Sequence, residues 1–92
     1  MIGSGYLAAM IKVVLFANLK EDLGAESVCL EATGISTVQD VIEKLAEERG
    51  ANWLELLTRD NILVAVNKEM MDRSAAVATD DEVAFLPPVS GG

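Results

Sequence analysis

The chain has 92 residues, of which 51% are hydrophobic and 24% charged, which suits one small soluble domain with its own core. Its net charge of −8 at pH 7 disfavours binding to nucleic acid, whose phosphates require lysines and arginines. The absence of histidine and the single cysteine exclude imidazole catalysis, an internal disulfide, a cysteine-based zinc cluster and a CxxC redox pair.

The N-terminal segment is expected to lie outside the fold. Residues 1–9 contain no lysine, no arginine and no long apolar stretch, so they do not resemble a secretory signal. We expect a disordered extension over 1–9 and a single domain over 10–86. No apolar run approaches the length needed to span a bilayer, so we expect no membrane association and a cytoplasmic protein.

The first part of the domain predicts a hairpin. Residues 11–17 are rich in β-branched and aromatic side chains, which is typical of a strand. Residues 18–24 form a polar turn region. Residues 26–31 alternate in polarity, which predicts a half-buried second strand with Val28 and Leu30 on its inner side.

A helix is the clearest predicted element. Ser36 or Thr37 can cap it, and Gln39, three residues after Ser36, would complete a capping box. Gly50 is a natural C-terminal stop for this helix. The apolar residues recur at the spacing of one buried helical face: Val38, Val41, Ile42, Leu45 and Ala46.

The remaining segments complete an α+β pattern. The predicted elements are a short helical turn over 53–57 with Trp53 at the core, a buried strand over 62–66 and a last strand over 82–86. Residues 67–69 turn the chain, and 70–81 are irregular, with a short edge strand near 75–78. This order predicts an α+β fold, with the main helix packed across one face of a mixed sheet.

The chain ends in an uncharged tail, Pro87-Pro88-Val89-Ser90-Gly91-Gly92. The prolines hold the backbone extended, and the glycines allow a foreign backbone to approach closely. We expect a flexible tail over 87–92 that reaches roughly 20 Å when extended. Such a tail is suited to entering a narrow channel and presenting its carboxylate to another protein's active site.

The segment 81–92, together with 10–17 and 63–67, resembles the small-subunit family of molybdopterin synthase, sulfur carriers with a ubiquitin-like β-grasp fold. The resemblance covers 10–92. It implies that Gly92, preceded by Gly91, is adenylated by an E1-like adenylyltransferase that uses ATP-Mg. A sulfurtransferase or cysteine desulfurase then supplies the sulfur of a C-terminal thiocarboxylate.

The same resemblance implies where the sulfur goes. The carrier docks on the large subunit in a heterotetramer and gives its sulfur to cyclic pyranopterin monophosphate, as a step of molybdenum cofactor biosynthesis. Catalytic residues are then expected on the large subunit. The carrier itself is expected to bind no cofactor and no metal ion and to have no turnover of its own.

Three alternatives stay open. The chain could carry sulfur for another product such as the thiamin thiazole, although the paired prolines argue against this. It could be a ubiquitin-like modifier joined to lysines through Gly92, or a plain binding module with an idle tail.

Cys29 lies in an alternating strand with no second cysteine, so we interpret it as a structural thiol. From residue type alone, Met70 and Met71 are interpreted as gap-filling core residues, which is the usual case for methionine.

Strand parity predicts an apolar surface beside the tail. Ile11, Val13 and Leu15 share one face of the first strand, so Phe16 lies on the other face, and Leu86 lies opposite the inner residues of the last strand. The resemblance adds Met70. An open apolar patch usually marks a partner surface. The predicted partner-binding residues are therefore Phe16, Met70, Leu86, Pro87, Pro88, Val89 and Ser90. The alternative is that 70–79 folds over this patch and buries it.

Overall fold

The computed structural model describes residues 9–87, which form five strands and three helices around one core. In chain order the elements are β1 (Met10–Leu15), α1 (Ala17–Leu23), β2 (Ser27–Glu31), α2 (Val38–Arg49), α3 (Ala51–Leu57), β3 (Leu63–Val66), β4 (Glu69–Met71) and β5 (Glu82–Leu86). The sheet order is β2-β1-β5-β3-β4. The central strand β5 runs parallel to β1, and the other neighbouring pairs are antiparallel. The predicted α+β fold with a mixed sheet is confirmed.

The core lies between one face of this sheet and the helices. Side chains at alternate positions of β1 and β5 point into it, and Ile11, Val13, Val83 and Phe85 are fully buried. The predicted apolar face of α2 packs on them, with Val38, Val41, Ile42 and Leu45 buried. Trp53 and Leu57 of α3 close the core, as expected for the short second helix. Each large side chain removed from water in this way stabilises the fold by about 1.5–3 kcal/mol.

The start of the described chain joins the sheet one residue earlier than predicted. The carbonyl oxygen of Ala9 accepts a hydrogen bond from the Ala32 N–H at 2.8 Å, which extends the pairing of β1 and β2. The other residues of the predicted extension, 1–8, lie outside the described residues.

The connection between β1 and β2 is helical, and the predicted polar turn over 18–24 was wrong. Ala17 has a positive φ of 53° that turns the chain at the end of β1, and α1 then runs to a left-handed Gly24 with φ of 74°. Leu19 is buried in the core. Burial of this one side chain favours the helix over an open turn, which local polarity alone did not indicate.

The predicted edge strand near 75–78 was also misplaced. Asn67 and Lys68 both have positive φ, 50° and 71°, which is the geometry of a two-residue hairpin turn. After such a turn the following residues pair directly with the preceding strand. The edge strand is therefore β4, which pairs with β3 from Glu69 onward. Ala76 instead forms an isolated bridge with Thr37 at the start of α2.

The N-terminus of α2 carries a capping box, but not the one predicted with Gln39. Thr37 is the N-cap, and its Oγ1 accepts a hydrogen bond from Asp40 N at 3.2 Å. The Asp40 carboxylate accepts from the backbone N–H groups of Ser36 and Thr37, and these bonds hold the pKa of Asp40 below its usual value. Gln39 instead donates to Glu43. At the other end, Gly50 ends the helix as predicted.

Replacing Thr37 is expected to weaken the whole domain, because α2 supplies much of the core. The substitution Thr37→Ala removes the acceptor for Asp40 N and should lower the free energy of unfolding by about 1 kcal/mol. Urea titration of both proteins gives this difference. Thr33→Ala, in an exposed turn, is the matched control. Equal stability of the two variants would contradict this role for the cap.

Candidate functional site

One face of the sheet is left open by the described helices, all of which pack on the other face. Phe16, which directly follows β1, is 45% exposed, and Met70 of β4 is 59% exposed. Leu86 at the end of β5 is partly buried on the same side. The structure thus places the three apolar residues singled out by strand parity and family resemblance on one surface. The segment 70–79 leaves them accessible to solvent.

These residues surround a groove of about 310 Å³. Phe16, Leu86 and Met70 form apolar walls, and Ala65 and Ala84 form the floor. Lys68 and Glu82 complete the lining, with 3.8 Å between Lys68 Nζ and Glu82 Oε1. An ion pair this exposed contributes little to stability, at most about 1 kcal/mol. The groove is therefore an apolar surface with a small polar rim.

Three exposed apolar positions differ from their interpretation in the sequence: Met70, Met71 and Leu63. Met70 and Met71 do not fill the core; Met71 is also exposed. Leu63, which pairs with Leu86 across β3 and β5, is 44% exposed and extends the apolar face. Sequence reasoning missed it, although the same parity rule applied to β3 would have found it.

The strand that leads to the tail is held at both ends. At its start, Asn67 donates a side-chain hydrogen bond to Asp81 (3.0 Å) and accepts one from Glu82 N (2.9 Å). At its end, Phe16 N–H donates to the Phe85 carbonyl oxygen at 3.2 Å. The contact with Asn67, followed by that with Ala78 N, holds the pKa of Asp81 below its usual value. The tail therefore leaves from a strand fixed in position.

Pro87 follows Leu86 directly and is the last described residue. The other predicted tail residues lie outside the described residues: Pro88, Val89, Ser90, Gly91 and Gly92. The groove thus lies at the base of the segment predicted to carry the sulfur.

Cys29 occupies an outward position of β2 opposite Lys12 and is exposed. It is separated from β5 by β1 in the sheet. Within residues 9–87, the acidic and thiol side chains form no group of three or more placed to hold a metal ion. None of the described helices is long and apolar enough to cross a membrane.

Comparison with known proteins shows the family. A sequence model of the ThiS family matches residues 13–92, which is most of the chain. The chain belongs to the ThiS family. The molybdopterin synthase sulfur carrier subunit of Haemophilus influenzae is 39% identical to it, with 90% of this chain and all of the relative covered.

Two further comparisons cover nearly the whole length of the similar protein. Small archaeal modifier protein 1 of Haloferax volcanii is 35% identical, covering 85% of this chain and 95% of the relative. The crystal structure of SAMP1 from Haloferax volcanii superimposes with a TM-score of 0.76 at 33% identity, covering 90% of this chain and 99% of that one. The ubiquitin-like β-grasp fold expected from sequence is thereby confirmed for this ThiS-family chain.

Proposed function

We propose that this ThiS-family chain is the sulfur carrier of molybdopterin synthase and that the carboxylate of Gly92 carries the sulfur. The observation that supports this best is the 39% identity, over 90% of this chain, with a relative of that name. The placement of an open apolar groove at the base of the tail supports it independently, because a carrier must dock before its terminus can react.

The chemistry requires partners, because a carboxylate is a poor electrophile and this chain has no histidine to assist it. An E1-like adenylyltransferase with ATP-Mg joins the Gly92 carboxylate to AMP and releases pyrophosphate. A persulfide from a sulfurtransferase or cysteine desulfurase then attacks the acyl carbon and expels AMP. Cleavage of the resulting acyl disulfide by a thiol leaves the thiocarboxylate. No step calls for a cofactor or metal ion bound to the carrier.

Delivery of the sulfur depends on the reach of the tail. From Pro87 the last six residues span roughly 20 Å when extended, enough to cross the wall of a small active site. We propose that the large synthase subunit covers the groove and receives the tail, giving a cytoplasmic heterotetramer. Sulfur then passes to cyclic pyranopterin monophosphate in that subunit's active site, where the catalytic residues lie.

Reconstitution tests the proposal. The chain is incubated with the adenylyltransferase, ATP-Mg and a sulfur donor, then mixed with the large subunit and cyclic pyranopterin monophosphate. We expect the dithiolene product to form only when every component is present. Product formation with a large subunit alone, or none with the full set, would contradict the proposed role.

The lone thiol is expected to be dispensable. Cys29→Ser should accept and deliver sulfur as well as the parent, because Cys29 lies on β2, away from the strand that bears the tail. Initial rates of dithiolene formation by the two proteins measure this. A folded Cys29→Ser variant that no longer delivers sulfur would show that the thiol, and not the terminus, holds it.

A second candidate function is protein modification, favoured by the similarity to small archaeal modifier protein 1. The same activated Gly92 would then be attacked by a lysine amine and form an isopeptide bond. Conjugates of higher mass that appear in cells with the full chain, and disappear when Gly92 is deleted, would establish this activity. It is compatible with sulfur transfer, since both begin with the adenylate.

A further inference from the structure

The floor of the groove consists of two alanines that face each other across adjacent strands. Ala65 of β3 and Ala84 of β5 are paired in register, between Met70 of β4 on one side and Val14 of β1 on the other. Alanine is a poor strand former compared with β-branched residues. Because both side chains point away from the core, core packing does not account for their small size. Larger side chains there would extend into the groove.

The alanine pair creates a hollow bounded on three sides. Phe16 and Leu86 close it at the end near the tail, Met70 lies at one flank, and the Lys68–Glu82 pair lies at the far end. The alanines themselves are only 7% and 9% exposed, so they lie well below these rims. A cavity of about 150 Å³ accommodates a benzene ring, and this hollow is larger, about 310 Å³. It has room for one bulky apolar side chain.

The position of the hollow indicates which protein fills it. Leu86 forms part of its rim, and the chain continues from there through five further residues after Pro87 to Gly92. Five residues reach at most roughly 17 Å, so a protein that holds the Gly92 carboxylate in its own active site must contact the surface near Leu86. That surface includes the hollow.

We infer that the Ala65–Ala84 hollow receives one bulky apolar side chain of a protein that takes Gly92 into its active site. Under the proposed function, on which this inference rests, the adenylyltransferase and the large synthase subunit both take in Gly92. Of the two, the large subunit forms the proposed heterotetramer with this chain, and it supplies the side chain. The two alanines are then specificity-determining residues: their small size admits the side chain, and a larger residue at either position excludes it.

Filling the hollow tests this inference. Ala65→Leu and Ala84→Leu should each weaken binding to the large subunit at least ~10-fold, since the displaced side chain loses its burial. Ala65→Val should have a smaller effect in the same direction. The control is Ser27→Leu, which adds the same side chain on the same face, next to Val14 but at the exposed edge strand β2. Isothermal titration calorimetry gives the affinities and thermal unfolding verifies the fold.

The possible outcomes distinguish a failure of this inference from a failure of the proposed function. If the parent binds the large subunit and the filled variants bind as tightly, the hollow is empty in the complex and the inference is wrong while the function stands. A parent that does not bind this subunit overturns both. Misfolding of all three filling variants would show that the alanines are needed for packing of the fold. If the parent chain is a dimer and Ala65→Leu is a monomer, the occupant of the hollow is a second copy of this chain. Either result overturns the inference.

Discussion

Deleting Gly92, or adding one residue after it, is expected to abolish sulfur transfer while leaving the fold intact. The terminal carboxylate is the proposed site of both the adenylate and the thiocarboxylate. A deletion shortens the reach of the tail and places the new carboxylate on Gly91, and an addition converts the Gly92 carboxylate into an unreactive amide. The buried side chains of the described fold lie between Ile11 and Phe85, so the free energy of unfolding should not change.

Dithiolene formation with the activating enzyme, sulfur donor and large subunit measures the loss. The matched control adds the same single residue before Met1, at the opposite end of the chain, and should transfer sulfur at the parental rate. Full activity of the chain lacking Gly92 would eliminate the terminus as the carrier. Loss of activity in the control as well would indicate damage to the fold.

A charge in the wall of the groove is expected to separate binding from stability. Phe16→Glu should weaken binding of the large subunit at least ~10-fold, because burying such a side chain against a partner stabilises the complex by about 1.5–3 kcal/mol and a buried carboxylate reverses this gain. The unfolding temperature should change little, since Phe16 is 45% exposed in the free chain. Calorimetric affinity and thermal unfolding are measured on the same samples.

Leu54→Glu provides the control for the charge itself. Leu54 lies on α3, is 39% exposed and does not line the groove, so this variant should bind as the parent does. If Phe16→Glu unfolds the domain, the side chain belongs to the packed fold and its assignment to the open face is wrong. If it folds and binds with parental affinity, the groove is not the docking surface.

The alternating strands made the open face predictable before the structure was known. Once Ile11 and Val13 are assigned to the core, the period of two places Phe16 outside, and the same rule separates Phe85 from Leu86. Met70 was added by family resemblance, and the register of β3 with β4 supplies the physical reason, since Met70 pairs with Ala65. Methionine is often but not always buried. The edge strand β4 has only three residues, and it leaves the side chains of Met70 and Met71 exposed.

Other features depended on contacts that sequence patterns do not encode. The helical form of α1 follows from the burial of Leu19 against distant elements, while its own residues also suit a turn. The cap of α2 required choosing between two neighbouring hydroxyl residues, and Asp40 decided it in favour of Thr37. Ala65 and Ala84 are far apart in sequence, so only the strand register shows that they form one floor.

The sulfur is proposed to reside on the carboxylate of Gly92, and mass spectrometry of the separated peptides tests this location most directly. The parent chain is incubated with the adenylyltransferase, ATP-Mg and a sulfur donor, then digested so that the peptide ending in Gly92 is separated from the one containing Cys29. The proposed function predicts replacement of one oxygen by sulfur in the Gly92 peptide, dependent on ATP. Sulfur found on the Cys29 peptide, or an unchanged Gly92 peptide, would contradict it.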